Sequence, residues 1–146
     1  MKDRSALSAG QYDALWSGLS DFIRYNPGAR HRRRIVVSIL EKLKFKNMLD
    51  IGCGKCELAL MLYKKYGPGL DYTGVDLSPE VIRENKTRFT RAEFSAMNIE
   101  KERLKKKFDL IVCSEVLEHL DDRSAAFRNI VSMMEDGGHL LITVPT

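Results

Sequence analysis

The sequence predicts an α/β fold in which helices cover both faces of a doubly wound parallel sheet. Two observations support this prediction. Short, mainly apolar runs alternate along the chain with segments of helical periodicity, which is the order of β-α-β units. The first of these runs ends at Gly52, as a buried parallel strand does before a ligand-binding turn. Right-handed crossovers between parallel strands then place helices on both faces of the sheet.

Residues 1–46 are expected to form an N-terminal helical cover. Residues 11–24 carry apolar side chains at roughly helical spacing, and the turn signal Asn26-Pro27-Gly28 is expected to end that helix. A second helix is expected over about Ala29–Leu43, with apolar residues on one face and arginines on the other. Residues 47–146 then form the core domain.

The core is expected to contain five strands and three connecting helices. The predicted strands are Asn47–Ile51, Asp71–Val75, Glu93–Ala96, Phe108–Cys113 and His139–Val144. The predicted helices are Glu57–Tyr66, a helix opened by the cap Ser78-Pro79-Glu80, and Leu120–Met134, which Asp136-Gly137-Gly138 is expected to end.

Composition excludes several classes of protein. The 146 residues are 44% hydrophobic and 30% charged, which is ordinary for one globular domain and excludes wholesale disorder. The longest apolar run is the six residues Leu58–Tyr63, far too short to span a membrane. Three cysteines without a visible secretory signal favour free thiols in a reducing compartment, and hence a cytoplasmic protein.

A glycine-containing turn follows the first predicted strand. Gly52 and Gly54 allow the backbone to turn tightly and to approach a ligand closely, although a plain turn between a strand and a helix looks the same. Asp76 ends the second strand 22 residues past Gly54, where an acid accepts hydrogen bonds from ribose hydroxyls. Together these residues predict a site for a ligand that contains adenosine.

Two familiar classes of adenosine ligand fit this turn poorly. The dinucleotide fingerprint needs a third glycine where this chain has Glu57, whose charge would repel a pyrophosphate. The nucleotide phosphate loop G-x-x-x-x-G-K-[ST] is absent from the sequence. What fits is a nucleoside without phosphates that carries a cationic, amino-acid-like tail. Asp50 is expected to meet the amine of that tail directly or through water.

Four blocks of the sequence resemble, in order, those of the class I S-adenosylmethionine-dependent methyltransferases, in particular their small-molecule (type 11/12-like) branch. The blocks are MLDIGCGKCE, YTGVDLSPE, FSAMNIE, and FDLIVCSEVLEHL followed by DGGHLLITVPT. The resemblance covers about Asn47–Thr146 and implies a Rossmann-like sheet of order 3-2-1-4-5 with S-adenosyl-L-methionine as cofactor. Members of this class usually have seven strands, so the chain is expected to be truncated after the fifth, with the last two strands missing.

The resemblance also implies which residues hold the cofactor. Asp76 is expected to bind the ribose, with Leu77 beside the adenine. Met97 is expected to pack near the adenine ring, bordered by Asn98 where an aspartate is more usual. The full expected set is Asp50, Gly52, Cys53, Gly54, Asp76, Leu77, Met97, Asn98, Ser114 and Glu115. One arginine of the run Arg30–Arg34 could hold the carboxylate of the methionine tail, because arginine forks well onto a carboxylate.

The expected function is transfer of a methyl group to a small-molecule or saccharide-like acceptor, at an oxygen or a nitrogen. Methyl transfer is a displacement at a sulfonium, so alignment of the acceptor matters most and a general base helps. His119 follows the fourth strand near the expected methyl position, and histidine is a residue type suited to act as a base, although a histidine there often only caps or packs. A non-catalytic module that binds the cofactor or a partner is the rival interpretation.

Two local patterns leave further alternatives open. Glu115, Glu118 and His119 resemble the metal site of small-RNA 2′-O-methyltransferases, although a packed segment is favoured over a metal site. Cys53 and Cys56 form a C-x-x-C pair that could be redox-active or bind zinc, but both lie inside the predicted cofactor loop.

Two regions of the sequence could bind a partner molecule, the basic run before the core domain and the fifth strand. The basic run Arg30–Arg34 could suggest nucleic acid, but few nearby aromatic residues could stack on bases, so a solvated face is favoured. The fifth strand would be left as an unpaired edge of the sheet, which favours homodimer formation or strand exchange.

Overall fold

The fold is a sheet of five parallel strands covered by helices. A computed structural model describes residues 8–11, 13, 14 and 26–145 of the chain. The strands are β1 (Asn47–Ile51), β2 (Asp71–Asp76), β3 (Glu93–Ala96), β4 (Phe108–Ser114) and β5 (Met134–Thr143). The helices are α1 (Pro27–Leu40), α2 (Glu57–Tyr66), α3 (Pro79–Arg88) and α4 (Arg123–Ser132). The sheet order is β3-β2-β1-β4-β5 and each neighbouring pair is parallel, which confirms the predicted order.

Two apolar clusters lie on opposite faces of the sheet. Side chains alternate along a strand, so Met48 of β1 joins the cluster under α1, α2 and α3, while Leu49 joins the cluster under α4. The prediction of helices on both faces is therefore confirmed. Among the described residues, no helix has the length and apolar character needed to cross a membrane.

The helix before β1 begins earlier than predicted. Asn26-Pro27-Gly28 opens α1, because Asn26 Oδ1 accepts the amide of Ala29 at 3.1 Å and Pro27 occupies the first helical position, where its missing N–H costs nothing. The helix ends at Leu40, three residues before the predicted Leu43. The helix predicted over residues 11–24 lies almost wholly outside the described residues.

The segment after β4 differs most from the prediction. A 3₁₀ turn forms at Leu117–His119, directly before the predicted start of a helix at Leu120. The helix α4 begins only after Asp122, whose carboxylate accepts the amide of Ala125 at 2.9 Å. The helix predicted over Leu120–Met134 is therefore wrong at both ends.

The diglycine after α4 lies inside β5 and does not terminate the helix, contrary to the prediction. Phe108 pairs with Met134, but Leu110 pairs with His139, so β5 carries extra residues at this point. Gly137 has a φ of +75°, a conformation that glycine adopts cheaply, and it allows the bulge to form. Regular pairing then runs from His139 to Thr143, close to the strand that the sequence predicted.

Candidate functional site

A cleft of about 650 Å³ lies at the carboxyl ends of β1, β2 and β4, where ligands bind in open α/β sheets. Seven of the predicted functional residues line it: Gly52, Asp76, Leu77, Met97, Asn98, Glu115 and His119. Four others lie outside this lining: Asp50, Cys53, Gly54 and Ser114. Ser8 and Ala9 also line the cleft, so the segment before α1 contributes to its wall.

The glycine loop is held against β2. The backbone amides of Gly52 and Cys53 both donate to the carbonyl of Val75, at 2.8 and 3.0 Å. Gly52 has a φ of +71°, and a Cβ added there would lie 2.4 Å from Val116 Cγ2. Backbone conformation and lack of space therefore both exclude a side chain, which keeps the loop backbone bare at the cleft.

Asp76 fastens the loop from the end of β2. Its Oδ2 accepts the amide of Gly54 at 3.0 Å, and its Oδ1 accepts the amide of Ser78 at 3.0 Å. Burial raises the pKa of Asp76, and these backbone hydrogen bonds oppose that rise because they favour the charged form. Each carboxylate oxygen has a further lone pair, so Asp76 can also accept hydroxyl donors from the cleft that it lines.

Asn85 fastens the same loop from α3, and sequence reasoning missed it. Its side-chain Nδ2 donates to the carbonyl of Gly54 at 2.7 Å, and the residue is fully buried. Its Oδ1 is buried without a hydrogen-bond partner among the described residues. The signal that would have found Asn85 is its place on the inward face of α3, beside the buried Val81 and Ile82.

Asp50 lies beneath the loop, behind the cleft wall. It is 4% exposed, and the hydroxyl of Tyr72 donates to its Oδ2 at 2.6 Å. Burial raises the pKa of Asp50 to about 7, while the hydrogen bond from Tyr72 acts in the opposite direction. Sequence reasoning missed Tyr72, because a tyrosine in a strand is ordinary and its pattern carries no functional signal.

Cys53 and Cys56 are packed thiols. Both are buried, and Cys56 Sγ lies 3.9 Å from the Tyr72 hydroxyl and 3.9 Å from the Gly54 carbonyl oxygen. A hydrogen bond with Cys56, and then burial, raises the pKa of Cys53 well above its ordinary value. Redox chemistry and metal binding both need a thiolate, which this environment disfavours at Cys53.

Met97 and Asn98 form the wall beside Asp76. The amide of Met97 donates to the Asp76 carbonyl at 2.9 Å, which ties this wall to the end of β2. Asn98 Oδ1 accepts the amide of Glu100 at 2.9 Å, and the amide of Asn98 donates to Glu102 Oε2 at 2.8 Å. The asparagine therefore orders the turn that follows it as well as lining the cleft.

Glu115 connects α1 to the other end of the cleft. Its backbone has a left-handed φ of +59°, and its amide donates to the carbonyl of Thr143 at 3.0 Å. The Thr143 hydroxyl donates to Glu115 Oε1 at 3.1 Å and shares a 2.7 Å hydrogen bond with Ser114. Arg32 Nε lies 3.5 Å from Glu115 Oε2. Ser114 therefore supports Glu115 from behind and does not itself line the cleft.

His119 lies in the 3₁₀ turn at the same end. Its side chain is 51% exposed and lines the cleft, and its Nε2 lies 3.9 Å from Glu118 Oε1. An imidazole in this position can exchange a proton with a molecule that enters the cleft. In the part of the chain that the structure describes, no three His, Cys, Asp or Glu side chains are grouped to hold a metal ion.

Comparison with known families matches most of this chain to one family model. The model describes a methyltransferase domain, and it matches residues 26–146. That range includes every strand, the glycine loop, Asp76 and His119.

Individual relatives give the same result. The trans-aconitate 2-methyltransferase of Escherichia fergusonii is 28% identical over 120 residues, which are 80% of this chain and 47% of that enzyme. The chain thus spans about half the length of the curated relatives it matches. The N-methyltransferase NodS from Bradyrhizobium japonicum WM9, solved with S-adenosyl-L-homocysteine, superposes with a TM-score of 0.74 at 29% identity, over 90% of this chain and 71% of NodS. The [4+2]-cyclase SpnF has the same fold, with a TM-score of 0.74 at 18% identity over 96% of this chain and 61% of SpnF.

Proposed function

The chain belongs to the methyltransferase-domain family, and from that premise we propose that it binds S-adenosylmethionine and methylates a small molecule at oxygen or nitrogen. One observation carries the proposal furthest. The glycine loop and Asp76 are joined by a 3.0 Å hydrogen bond at the edge of a cleft of about 650 Å³. This arrangement supplies a carboxylate for a ribose and a volume sufficient for a nucleoside with a tail.

The residues of the cleft suit this cofactor chemically. Asp76 offers acceptors for the two ribose hydroxyls, and Leu77 and Met97 offer apolar surface for a flat base. Glu115 lines the cleft and Asp50 is buried behind its wall, and their carboxylates suit the positive charges of a sulfonium and an ammonium. When bound, S-adenosylmethionine supplies an electrophilic methyl group carried on that sulfonium.

His119 is the residue that we propose for proton transfer. A hydroxyl or ammonium acceptor must lose a proton as it is methylated, and a half-exposed imidazole on the cleft wall is placed to accept it. Glu115 and its support by Thr143 position the neighbouring turn. We expect proximity and alignment to provide most of the rate, with the base adding about 100-fold to 10,000-fold.

We further propose that residues 1–46 act as a cover and that Arg32 meets the carboxylate of the cofactor's tail. Arg32 is favoured among the arginines of α1 because its ion-pair partner, Glu115, lines the cleft. Replacement of Arg32 by Gln should weaken S-adenosylhomocysteine binding, while the exposed Arg34→Gln should not. Equal affinities of the two variants would contradict this assignment.

Isothermal titration with S-adenosylmethionine and S-adenosylhomocysteine tests the proposal directly. We expect both to bind to wild type, and binding to be lost on Asp76→Ala. Binding without methyl transfer to any acceptor would favour the rival function, a non-catalytic binding module. No heat with either ligand would contradict both functions.

The methyl acceptors that are tested should cover the reactions that the names of the relatives state. Trans-aconitate is a first carboxylate acceptor, because the Escherichia fergusonii relative is a trans-aconitate 2-methyltransferase. Amines and amino sugars follow, because NodS is an N-methyltransferase. An RNA oligonucleotide, with and without a divalent cation, tests the lesser alternative of metal-assisted RNA methylation.

We also propose that β5 pairs with a further strand, supplied by a second copy of this chain. β5 is the last strand of the described sheet, and Ile142 and Val144 near its end are 36% and 53% exposed. An unpaired strand edge with apolar side chains favours association. Light scattering after size exclusion should give a dimer mass, and Ile142→Lys should give a monomer. A monomeric wild type would contradict the proposal.

A further inference from the structure

A buried polar pair lies beneath the glycine loop. The Tyr72 hydroxyl donates to Asp50 Oδ2 at 2.6 Å, and the two residues are 1% and 4% exposed. They lie on neighbouring strands, where Met48 pairs with Tyr72 and Asp50 pairs with Gly74, so both side chains belong to the same face of the sheet. The hydrogen bond is therefore set by the register of β1 and β2.

Asp50 lacks a counter-charge among the described residues that act on it. From β2 it faces Tyr72 and the like charge of Asp76, from the loop the thiol of Cys53, and from β4 the thiol of Cys113. A buried carboxylate normally pairs with a cation, because an unpaired buried charge is strongly unfavourable. Gly52, two residues further along the chain, lines the cleft.

We propose that Tyr72 is a positioning residue, whose hydroxyl holds the Asp50 carboxylate in place to attract the ammonium group of the cofactor's amino-acid tail. This inference rests on the proposed cofactor. The inference adds to the proposed function a residue that determines recognition of the tail and not of the nucleoside. Removal of the hydroxyl leaves Asp50 without its hydrogen-bond donor and favours its neutral form.

The chain contains a matched control for this residue. Tyr63 lies in α2, its ring is 6.2 Å from that of Tyr72, and its hydroxyl is buried without a hydrogen-bond partner among the described residues. Tyr63→Phe and Tyr72→Phe each delete one buried hydroxyl from the same aromatic cluster. Only Tyr72→Phe removes a hydrogen bond to Asp50.

Two ligands separate the tail from the nucleoside. S-adenosylhomocysteine carries the amino-acid tail, and 5′-methylthioadenosine lacks it. By calorimetry at pH 7.5, we expect Tyr72→Phe to lower the affinity for S-adenosylhomocysteine about 10-fold and the affinity for 5′-methylthioadenosine less than 2-fold. We expect Tyr63→Phe to change neither affinity more than 2-fold. A general disturbance of the fold would weaken both ligands equally in Tyr72→Phe, and that result would overturn the inference, as would no change in either.

The pH dependence supplies a second readout. Because the Tyr72 hydrogen bond favours the charged form of Asp50, its loss raises the pKa of Asp50 further. The S-adenosylhomocysteine affinity of Tyr72→Phe should therefore recover as the pH rises from 7 to 8.5, while wild type and Tyr63→Phe change less. Neither substitution touches the hydrogen bonds from the Gly54 and Ser78 amides to Asp76, so we attribute a difference between the three profiles to Asp50. Coincident profiles would overturn the inference, whereas a wild type that binds neither ligand would overturn the proposed function itself.

Discussion

The two ends of the cleft are built in different ways. The loop end consists of Gly52, Gly54, Asp76 and Asn85, and Gly54 is held there on both sides, by Asp76 at its amide and by Asn85 at its carbonyl. The acceptor end consists of Glu115 and the turn Leu117–His119, which contains no buried residue. The loop end is held by buried hydrogen bonds, whereas the hydrogen bonds that support Glu115 are partly buried and His119 beside it is half-exposed.

This difference separates binding from specificity. A site whose donors and acceptors are fixed before the ligand arrives loses little entropy on binding, so the loop end suits a constant cofactor. His119 is the exposed residue of the turn, and a change there costs the core little, so the acceptor end suits a variable acceptor. The predictions below test this contrast, from the largest expected change in stability or cofactor affinity to the smallest.

The largest effect is expected from the buried charge of Asp50. Its pKa is raised from 3.8 to about 7, so between these values native Asp50 holds a proton that the unfolded chain has released. The free energy of unfolding therefore falls as the pH rises from about 4 to about 7. Asp50→Asn should remove this loss of stability. Above pH 7 its free energy of unfolding should exceed that of wild type by at most about 4 kcal/mol, at 1.36 kcal/mol for each pKa unit.

Urea unfolding at several pH values measures this difference. The control is Asp71→Asn, an exposed acid at the start of β2. Near pH 4 the stabilities of Asp50→Asn and wild type should converge. An unchanged pH slope in Asp50→Asn would mean that Asp50 does not carry the buried charge.

The next effect is expected at Asp76. Asp76→Ala removes the acceptors of the Gly54 and Ser78 amides together with those proposed for the ribose. Hydrogen bonds to a charged group contribute about 1.5–3 kcal/mol each, so S-adenosylhomocysteine affinity should fall about 100-fold or more. Calorimetry measures the loss, with Asp71→Ala as the control on the same strand. A loss below about 5-fold would break the link between Asp76 and the ribose.

A smaller effect is expected at Asn85. Asn85→Ala removes the hydrogen bond to the Gly54 carbonyl. The affinity for S-adenosylhomocysteine should fall about 10-fold, since a lost buried hydrogen bond costs about 1–3 kcal/mol. The control is Asn47→Ala at the amino end of β1, which removes a 3.0 Å hydrogen bond from Nδ2 to the Lys107 carbonyl and a 2.8 Å hydrogen bond from the Asp109 amide to Oδ1. If both variants lose stability but bind the cofactor alike, Asn85 supports the core and not the loop.

The smallest effect on cofactor binding is expected at the acceptor end. His119→Asn should leave S-adenosylhomocysteine affinity within 2-fold of wild type, because the side chain is half-exposed and its Nε2 lies 3.9 Å from Glu118 Oε1 in its own turn. Methyl transfer should fall about 100-fold if His119 is the base. Binding is measured by calorimetry and transfer by release of S-adenosylhomocysteine. A large loss of cofactor affinity would show that the two ends are not separate.

Local patterns predicted most of the architecture and much of the cleft. The bounds of β1, α2 and β3 are as predicted, and the strand order is confirmed. Gly52 and Asp76 line the cleft where the glycine turn and the acid after β2 indicated a nucleoside site. The predictions failed around α4. Helical periodicity in the sequence extends beyond both ends of this helix, which begins only after its cap at Asp122. The diglycine forms a bulge in β5 and does not end the helix.

The sequence alone determined features that depend on neighbours along the chain: apolar periodicity, the Ser78 cap of α3, and the turn at Gly52 and Gly54, which take positive φ. Only the tertiary structure decided which distant side chains support the site. The hydrogen bonds from Tyr72 to Asp50 and from Asn85 to Gly54 join residues 22 and 31 positions apart. Their formation depends on strand register and on the packing of α3 against the loop. No local pattern specifies such contacts, because tyrosine and asparagine are ordinary in strands and helices until the fold brings a buried partner within reach.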